Sequence, residues 1–481
     1  MHHRSADPLP LDLDPRWSNY PHRPSAREAM STNTSPTTYT GWKPGPDDTS
    51  VPHEPSSISA IDMWTNYIKN RKPVVLDGFP DDPEWRGERW TDLAYLRDVS
   101  GDASVKVEPI HPEFKCFGTS MPRKTMKFAQ FLDLVQDAKQ AGRYYLTTQY
   151  EENRDDSESD DNEWPSLDPV LPSPTHTLKS DLPLRPRILG DLVLQQCNFW
   201  VGSGMEPKSS GLHHDFHDNL YILLSGHKRF VLFPPDAYPY LHLRGHVEQI
   251  HKNGLLVYEE AGRIRPDGLD VLDAAHWRLA SRSHQMGQRK KRRSTNDEAH
   301  NSYAEAKMAL QELKAKYEED DDDDDDDDEP LDDDQEDDDD GGVLDSVSEA
   351  GSELNVCDDD EQLLADLEFK EQEPPSFSRI PTSVLHKHFG IEPPIAPSSA
   401  EKEHMFVPLQ GCPKPIVVEL NPGQMLYLPA SWFHEVTSSS SGVAPHMALN
   451  YWMHPPDGEE NQVYTDTEVW ESIQNRVYDS I

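Results

Sequence analysis

The chain has 481 residues, of which 35% are hydrophobic, and a formal net charge of −43. This composition predicts that part of the chain stays outside any packed core, and the acidity disfavours direct nucleic-acid binding, which depends on cationic side chains. No apolar N-terminal signal and no stretch of 18 apolar residues occurs, so we expect an intracellular protein without a membrane segment.

The N-terminal third of the chain changes from an irregular arm to helices and strands. Residues 1–54 are rich in Pro, Ser, Thr and Asp without periodicity, which predicts a mostly disordered arm. Apolar residues at helical spacing then predict helices over residues 57–71 and 125–138. Residues 72–79 predict a short buried strand, and the β-forming residues 144–148 predict another.

Strand patterns dominate the middle and the end of the sequence. From about residue 195 to 234 the pattern is that of strands, and residues 220–224 and 228–233 flank a Ser-Gly-His turn that predicts a hairpin. Further strand patterns occupy residues 416–420, 424–428 and 447–452.

The intervening segment, residues 263–374, lacks strand character. It holds a basic cluster at 289–293, a narrow apolar stripe at 302–317 that predicts a helix, and an acidic tract at 318–340 in which 20 of 23 residues are Asp or Glu. Such a tract repels itself and is solvated. We therefore expect a flexible charged insert, which a surface loop tolerates because closure entropy grows slowly with loop length.

The simplest organisation is one β-rich domain, residues 55–262 plus 375–481, that the insert 263–374 interrupts. This arrangement follows the strand signals, which stop before the insert and resume after it.

One run carries residues that suit a metal site. His213 and Asp215 are two positions apart, so on a regular strand both side chains would point to the same side, together with every second residue as far as Leu223. With the downstream His434 they supply two imidazoles and a carboxylate, a set that holds one face of non-haem Fe(II) and leaves positions open. His214 would point the other way. The alternative is that each is an ordinary hydrogen-bonded or surface group in a chain with 22 histidines.

The same run resembles a known family. Leu212-His-His-Asp-Phe-His-Asp-Asn, continued to Pro235, is similar to the core of the JmjC (cupin-like) 2-oxoglutarate oxygenases, in particular the small hydroxylase branch that includes factor-inhibiting-HIF. Residues 422–436 and 449–452 match the second half of that family in order, and residues 57–145 resemble its N-terminal elements. The resemblance implies a mainly β fold with flanking helices, a double-stranded β-helix (jelly roll) interrupted by the long disordered acidic insert.

The resemblance also implies roles for individual residues. His213, Asp215 and His434 would hold the iron, and Lys228 would pair with the far carboxylate of 2-oxoglutarate. The other implied co-substrate contacts carry hydroxyl or amide groups: Ser210, Tyr145, Asn219 and Asn450.

Alternatives remain open for several of these positions. Lys228 could be a solvated lysine, as we expect Arg229 to be, and the two asparagines could be amides that satisfy neighbouring strands. Tyr144 is one register step from Tyr145. The third ligand could instead be one of three other histidines: His386, His388 or His446. Trp432 and Phe433 could either keep the pocket dry or pack in the core.

The implied activity is that of an oxygenase that uses Fe(II), 2-oxoglutarate and O₂ on a protein side chain, with histones or other basic proteins as candidate substrates. Demethylation is the same chemistry on an N-methyl group and remains open, although the four widely spaced cysteines provide no zinc-finger reader. An RNA-modifying oxygenase and a catalytically silent acidic interaction platform are the alternatives. The basic cluster 289–293 predicts import into the nucleus rather than a cytoplasmic location.

Overall fold

The computed structural model describes residues 39–45, 48–112, 117, 121–148, 165, 169–261, 263–291, 297–321, 374–396, 409–442, 444–460 and 462–480. In chain order its strands are β1 (His53–Pro55), β2 (Val74–Asp77), β3 (Ser104–Pro109), β4 (Lys124–Lys127), β5 (Tyr144–Thr147), β6 (Leu194–Gly202), β7 (Lys208–His213), β8 (Asp218–Ser225), β9 (His227–Phe233), β10 (Val247–Ile250), β11 (Leu256–Tyr258), β12 (Ile416–Leu420), β13 (Gln424–Leu428), β14 (Phe433–Ser439) and β15 (His446–Met453). Its α-helices are α1 (Ala60–Met63), which a π-helical turn (Trp64–Ile68) extends, α2 (Leu93–Ser100), α3 (Phe128–Gln136), α4 (Val271–Lys291), α5 (Asp297–Asp321), α6 (Thr382–Phe389) and α7 (Thr467–Ser480).

Two sheets form the centre of the fold. The larger has the strand order β1-β2-β13-β8-β15-β6-β5-β3-β4, and the smaller has the order β12-β9-β14-β7. Neighbouring strands in both sheets are antiparallel, except for the parallel pair β1 and β2. Apolar side chains of both sheets meet in one buried cluster, for example Leu426 and Ala448 from the larger sheet and Leu232 and Val418 from the smaller.

The outer face of the larger sheet is covered by helices. On α3, Phe128, Phe131 and Leu132 are buried at helical spacing, in one cluster with Ile222 of β8 and Trp470 of α7. Two facing sheets with flanking helices confirm the predicted fold class, a double-stranded β-helix. None of the described helices combines the length and apolarity needed to cross a membrane.

The predicted hairpin between residues 220 and 233 is wrong. β8 pairs with β13 and β15 in the larger sheet, whereas β9 pairs with β12 and β14 in the smaller one. The chain crosses between the sheets at Gly226, whose φ of +86° favours glycine. A short turn between two strand patterns does not reveal whether the strands share a sheet.

The ordered fold begins before the predicted boundary at residue 55. Tyr39 and Val51 are buried, and His53–Pro55 pairs in parallel with Val74–Asp77. Trp42 stacks on Trp432 with ring centroids 5.8 Å apart. The prediction of a disordered arm is therefore wrong for the described residues from 39 to 54, because isolated apolar side chains are buried there without any periodic pattern. Residues 1–38 lie outside the described residues.

The first part of the predicted insert is helical and packed. Leu279 of α4 and Leu310 of α5 share a small apolar cluster. Arg282 of α4 donates to the carboxylate of Glu468 on α7 at 3.0 Å. The predicted flexible insert is therefore wrong for residues 263–291 and 297–321, and the helix predicted over 302–317 lies within α5. The side chains of the basic cluster and of the acidic tract, and all of residues 322–373, lie outside the described residues.

Candidate active site

A cavity of about 740 Å³ lies between the two sheets. The larger sheet contributes Tyr145, Asn219 and Trp452 to its wall, among others, and the smaller sheet contributes Lys228 and His434. Most of the residues singled out in the sequence therefore face one common space.

The three candidate metal ligands come together at one point of the cavity wall. His213 ends β7 and is the direct register partner of His434 on β14, and their ring centroids are 4.3 Å apart. Asp215 Oδ2 lies 3.6 Å from His434 Nε2. One ligand atom from each residue falls within 4.8 Å of the other two. Within the described ranges, no other group of three His, Cys, Asp or Glu side chains meets this criterion.

The backbone at Asp215 differs from the prediction. β7 ends at His213 and β8 begins at Asp218, so Asp215 lies in a connecting turn and not on a regular strand. Its carbonyl oxygen accepts a hydrogen bond from Ser431 N at 2.8 Å, which fixes the turn close to β14. Leu223, expected on the same face, packs in the core between the sheets instead.

Hydrogen bonds fix which nitrogen of each histidine faces the cluster. His213 Nδ1 lies 3.1 Å from the carbonyl oxygen of Gly211, and His434 Nδ1 lies 2.9 Å from that of Trp432. A carbonyl oxygen only accepts, so each Nδ1 carries the hydrogen and each Nε2 offers a lone pair. Burial, helped by the neighbouring His434, lowers the pKa of His213 from 6.5 to about 4. Its imidazole is therefore neutral at physiological pH, as a metal ligand must be.

The other histidines considered as ligands lie elsewhere. His214 Nε2 is 2.6 Å from the hydroxyl of Tyr258. His386 Nε2 is 3.1 Å from Glu435 Oε2 in the interior. His388 packs edge-on against its neighbour in α6, and His446 lines the cavity beside Tyr145. None of them belongs to the three-residue cluster.

Lys228 is a buried cation with hydroxyl partners. The residue is 1% exposed, and its ammonium donates to Tyr145 OH at 3.2 Å and to Ser438 Oγ at 2.5 Å. Burial lowers its pKa from 10.5 to about 7. Among the described residues no carboxylate forms an ion pair with it. An ammonium has three N–H donors, and the two hydroxyls use two of them. The third can bind an anion, whose negative charge would balance that of the buried ammonium.

Arg229, in contrast, is not the solvated residue that we expected. It is buried behind the sheet and donates to the carbonyl oxygen of Pro393 at 2.8 Å and to Thr437 Oγ1 at 3.3 Å.

The structure separates the remaining hydroxyl candidates. Tyr145, and not Tyr144, lines the cavity and contacts Lys228. Ser210 also lines the cavity, but its hydroxyl donates to the carbonyl oxygen of Gly211 at 2.9 Å and accepts from Val436 N at 3.1 Å. Ser210 therefore already has partners within the protein.

The two asparagines form part of one hydrogen-bonded row across three strands. Asn450 Nδ2 donates to Asn219 Oδ1 at 3.0 Å, and Asn450 Oδ1 accepts from Trp200 Nε1 at 2.8 Å. Asn219 and Trp200 line the cavity, whereas Asn450 does not. Trp432 and Phe433 are core residues and do not line it.

Sequence reasoning missed several residues of this cavity, among them Ser438, His446 as a wall residue, and Phe377. Ser438 could have been found, because it lies two and four residues from Val436 and His434 on β14 and so shares their face. Phe377 carried no such signal, since it lies just after the predicted insert and belongs to no regular strand.

Comparisons with known proteins place the chain in a family and give several relatives. A family model described as a cupin-like domain matches residues 60–459. JmjC domain-containing protein 4 of Schizosaccharomyces pombe is 35% identical over 458 residues, which cover 92% of this chain and 93% of that relative. Human tRNA wybutosine-synthesizing protein 5 is 26% identical over 39% of this chain, and the match spans 57% of that relative. The human bifunctional peptidase and (3S)-lysyl hydroxylase JMJD7 is 34% identical over 76 residues, 16% of this chain and 23% of that relative.

Proposed function

The chain belongs to the family of cupin-like JmjC domain proteins, and from this premise we propose that it is an Fe(II)- and 2-oxoglutarate-dependent dioxygenase acting on a side chain of a protein. The observation that carries the proposal is the convergence of His213, Asp215 and His434 in one cavity with the buried Lys228.

The donor set fits Fe(II). Two Nε2 lone pairs and one carboxylate, from His213, His434 and Asp215, are the nitrogen and oxygen ligands that non-haem iron takes, and three protein ligands leave positions for small molecules. The backbone hydrogen bonds of both Nδ1 atoms hold the imidazoles in the ligating tautomer. When bound together, Fe(II), 2-oxoglutarate and O₂ supply the oxidation of a substrate C–H bond, with succinate and CO₂ as co-products.

The chain's own residues would bind and orient the co-substrate. Lys228 would hold the far carboxylate through the donor that its hydroxyl partners leave unused, and Tyr145 and Ser438 would keep the ammonium directed into the cavity. Tyr221 and Phe230 contribute aromatic wall that excludes water, which strengthens the charge interaction.

The substrate belongs to this proposal as well. Hydroxylation of a protein side chain is favoured because one relative is named a lysyl hydroxylase, and N-demethylation is the same oxidation at a methyl group. Histones and other basic proteins suit the acidic chain through charge complementarity, and the basic cluster at 289–293 supports a nuclear location.

Succinate formation tests the reaction. The purified chain with Fe(II), ascorbate and 2-oxoglutarate should form succinate, and His213→Ala should not. Mass spectrometry of proteins bound by Asp215→Ala, then incubated with wild-type enzyme, should reveal a gain of one oxygen or the loss of a methyl group. Equal succinate formation by wild type and His213→Ala would instead support a silent fold that serves as an acidic interaction platform.

An RNA-modifying oxygenase is the second candidate, because one relative is named for tRNA modification. The charge of −43 counts against it, since binding to a phosphate backbone needs cationic side chains. Total tRNA in place of protein in the same assay distinguishes the two: turnover stimulated by tRNA alone would overturn the protein substrate.

A further inference from the structure

Residues 374–396, here called the strap, contact the candidate metal centre directly. Its Phe377 forms an antiparallel bridge with His213. Ser378 N donates to the carbonyl oxygen of Leu212 at 2.8 Å, and His214 N donates to that of Ser376 at 3.3 Å. The strap thus extends the edge of the smaller sheet where the first candidate ligand lies.

The ring of Phe377 lies flat against the imidazole of His213. Their centroids are 4.7 Å apart and their planes differ by 12°. The hydrogen bond from Nδ1 of His213 to Gly211 directs one edge of the imidazole, and the stacked phenyl ring restricts rotation of its plane. Together they set the direction in which the Nε2 lone pair points.

A second contact joins the strap to the strand that carries the other histidine ligand. His386, on α6 of the strap, and Glu435, the neighbour of His434, are both 0% exposed, and His386 Nε2 lies 3.1 Å from Glu435 Oε2. Ile395 N donates to His386 Nδ1 at 3.0 Å, so Nε2 carries the hydrogen and donates to the carboxylate.

The Glu435 carboxylate also reaches the strand of the first ligand. It accepts hydrogen bonds from Ser209 Oγ at 2.6 Å and from Thr437 Oγ1 at 2.8 Å. Ser209 Oγ in turn accepts from Gly211 N at 3.0 Å, and the carbonyl oxygen of Gly211 is the partner of His213. One buried carboxylate therefore connects the strap, β7 and β14.

We infer that the strap orients the ligands of the metal centre, with Phe377 and His386 as positioning residues for the two histidine ligands. The inference rests on the proposed function, because it assumes that His213, Asp215 and His434 bind a metal. It assigns a role to a segment that is distant along the chain from all three candidate ligands. Outer contacts of this kind typically change metal affinity 10- to 100-fold.

Co(II) is a suitable probe, because its binding is measured by calorimetry and its visible spectrum reports ligand geometry. In the full-length chain, Phe377→Leu should weaken Co(II) binding about tenfold and alter the spectrum. Phe377→Tyr, which keeps a flat ring, should retain the Co(II) affinity and the spectrum of the wild type. The matched control is Phe389→Leu, on the same strap but packed against Phe233 with centroids 5.6 Å apart, and it should leave Co(II) affinity unchanged.

Hydrogen exchange gives a second measurement that a purely structural role would not affect. Because coupling is reciprocal, Co(II) should slow amide exchange in the strap of the wild type, and should do so less in Phe377→Leu. Equal Co(II) affinity for wild type and Phe377→Leu, with no protection of the strap, would overturn the inference. Equal affinity for wild type and His213→Ala would overturn the metal site itself and the inference with it.

Discussion

Arg71 and Asp218 form a buried bidentate ion pair that joins the N-terminal part of the fold to the candidate active site. The guanidinium donates to the two carboxylate oxygens at 2.8 and 2.5 Å, and both side chains are almost completely shielded from solvent. The Asp218 carboxylate also accepts from Tyr427 OH at 2.6 Å and from Ala430 N at 2.9 Å. The Asp218 carboxylate therefore connects the end of the turn that contains Asp215 with the segment that precedes His434.

Loss of the Arg71 charge should destabilise the protein strongly. Arg71→Leu leaves the Asp218 carboxylate buried without its counter-charge, and the expected loss is about 3–5 kcal/mol of unfolding free energy. Urea denaturation measures it. Lys127→Ala, which breaks an ion pair at the surface with Asp102, is the control and should have a far smaller effect. If the two variants unfold at the same urea concentration, the buried pair is not needed for stability.

The affinity for 2-oxoglutarate should fall as the pH rises. The pKa of Lys228 in the free protein is about 7, because burial disfavours the ammonium. Above that pH the free protein holds a neutral amine and must take up a proton to pair with a carboxylate. Each pH unit above about 7 should therefore weaken binding about tenfold, whereas below pH 6 the affinity should be constant. Calorimetry on the Co(II)-loaded chain from pH 5 to 9 measures this.

Three ionisable groups beside Lys228, those of His446, Tyr145 and Tyr221, do not titrate in that range. Burial, and then the charge of Lys228, hold the pKa of His446 well below its usual value, while burial raises the pKa of Tyr145 and Tyr221. Lys228→Arg is the control, because a guanidinium stays charged to far higher pH. A wild-type profile as flat as that of Lys228→Arg would mean that the lysine stays protonated throughout.

The three candidate metal ligands could be named from the sequence because they carry suitable donor groups and match the positions that the family resemblance implies. His213, Asp215 and His434 do meet, although the turn at Asp215 breaks the strand on which the spacing argument relied. Tyr145 and Lys228 also meet, as the resemblance implied, because β5 of the larger sheet and β9 of the smaller sheet both contribute to the wall of the cavity.

Long-range packing explains what the sequence did not reveal. The strap contacts His213 through one aromatic ring and a few backbone hydrogen bonds, none of which leaves a periodic pattern. The helical pair α4 and α5 was mistaken for a flexible insert because α5 buries few of its described residues and α4 docks partly through ion pairs such as Arg278 with Asp466. The crossing at Gly226 looked like a hairpin because both connections need the same short turn.

A side chain at Gly226 should be poorly tolerated. The residue has φ of +86°, and an added Cβ would lie 2.4 Å from His446 Cβ and 2.8 Å from the carbonyl oxygen of Ser439. Strain and overpacking together should lower the unfolding free energy of Gly226→Ala by about 2–5 kcal/mol. Gly390→Ala is the matched control, because Gly390 has φ of +66° but open space around it. Both substitutions strain the backbone, but only the one at Gly226 adds a clash, so the difference between the two variants in thermal unfolding measures the clash. Equal losses of stability would show that the surrounding structure relieves it.

Asn450 and Asn219 should respond differently to substitution. Asn450→Leu removes the partner of Trp200 Nε1 and that of Asn219 Oδ1, so one half-buried and one buried polar group lose this hydrogen bond. The expected cost is about 1–3 kcal/mol of unfolding free energy for the buried group of Asn219 and less for the half-buried N–H of Trp200. Asn219→Ala removes a group of the cavity wall itself, so it should weaken 2-oxoglutarate binding more than Asn450→Leu does at a temperature where both are folded. Urea denaturation and calorimetry on the two variants provide the comparison. The reverse order of affinities would place Asn450, rather than Asn219, in contact with the co-substrate.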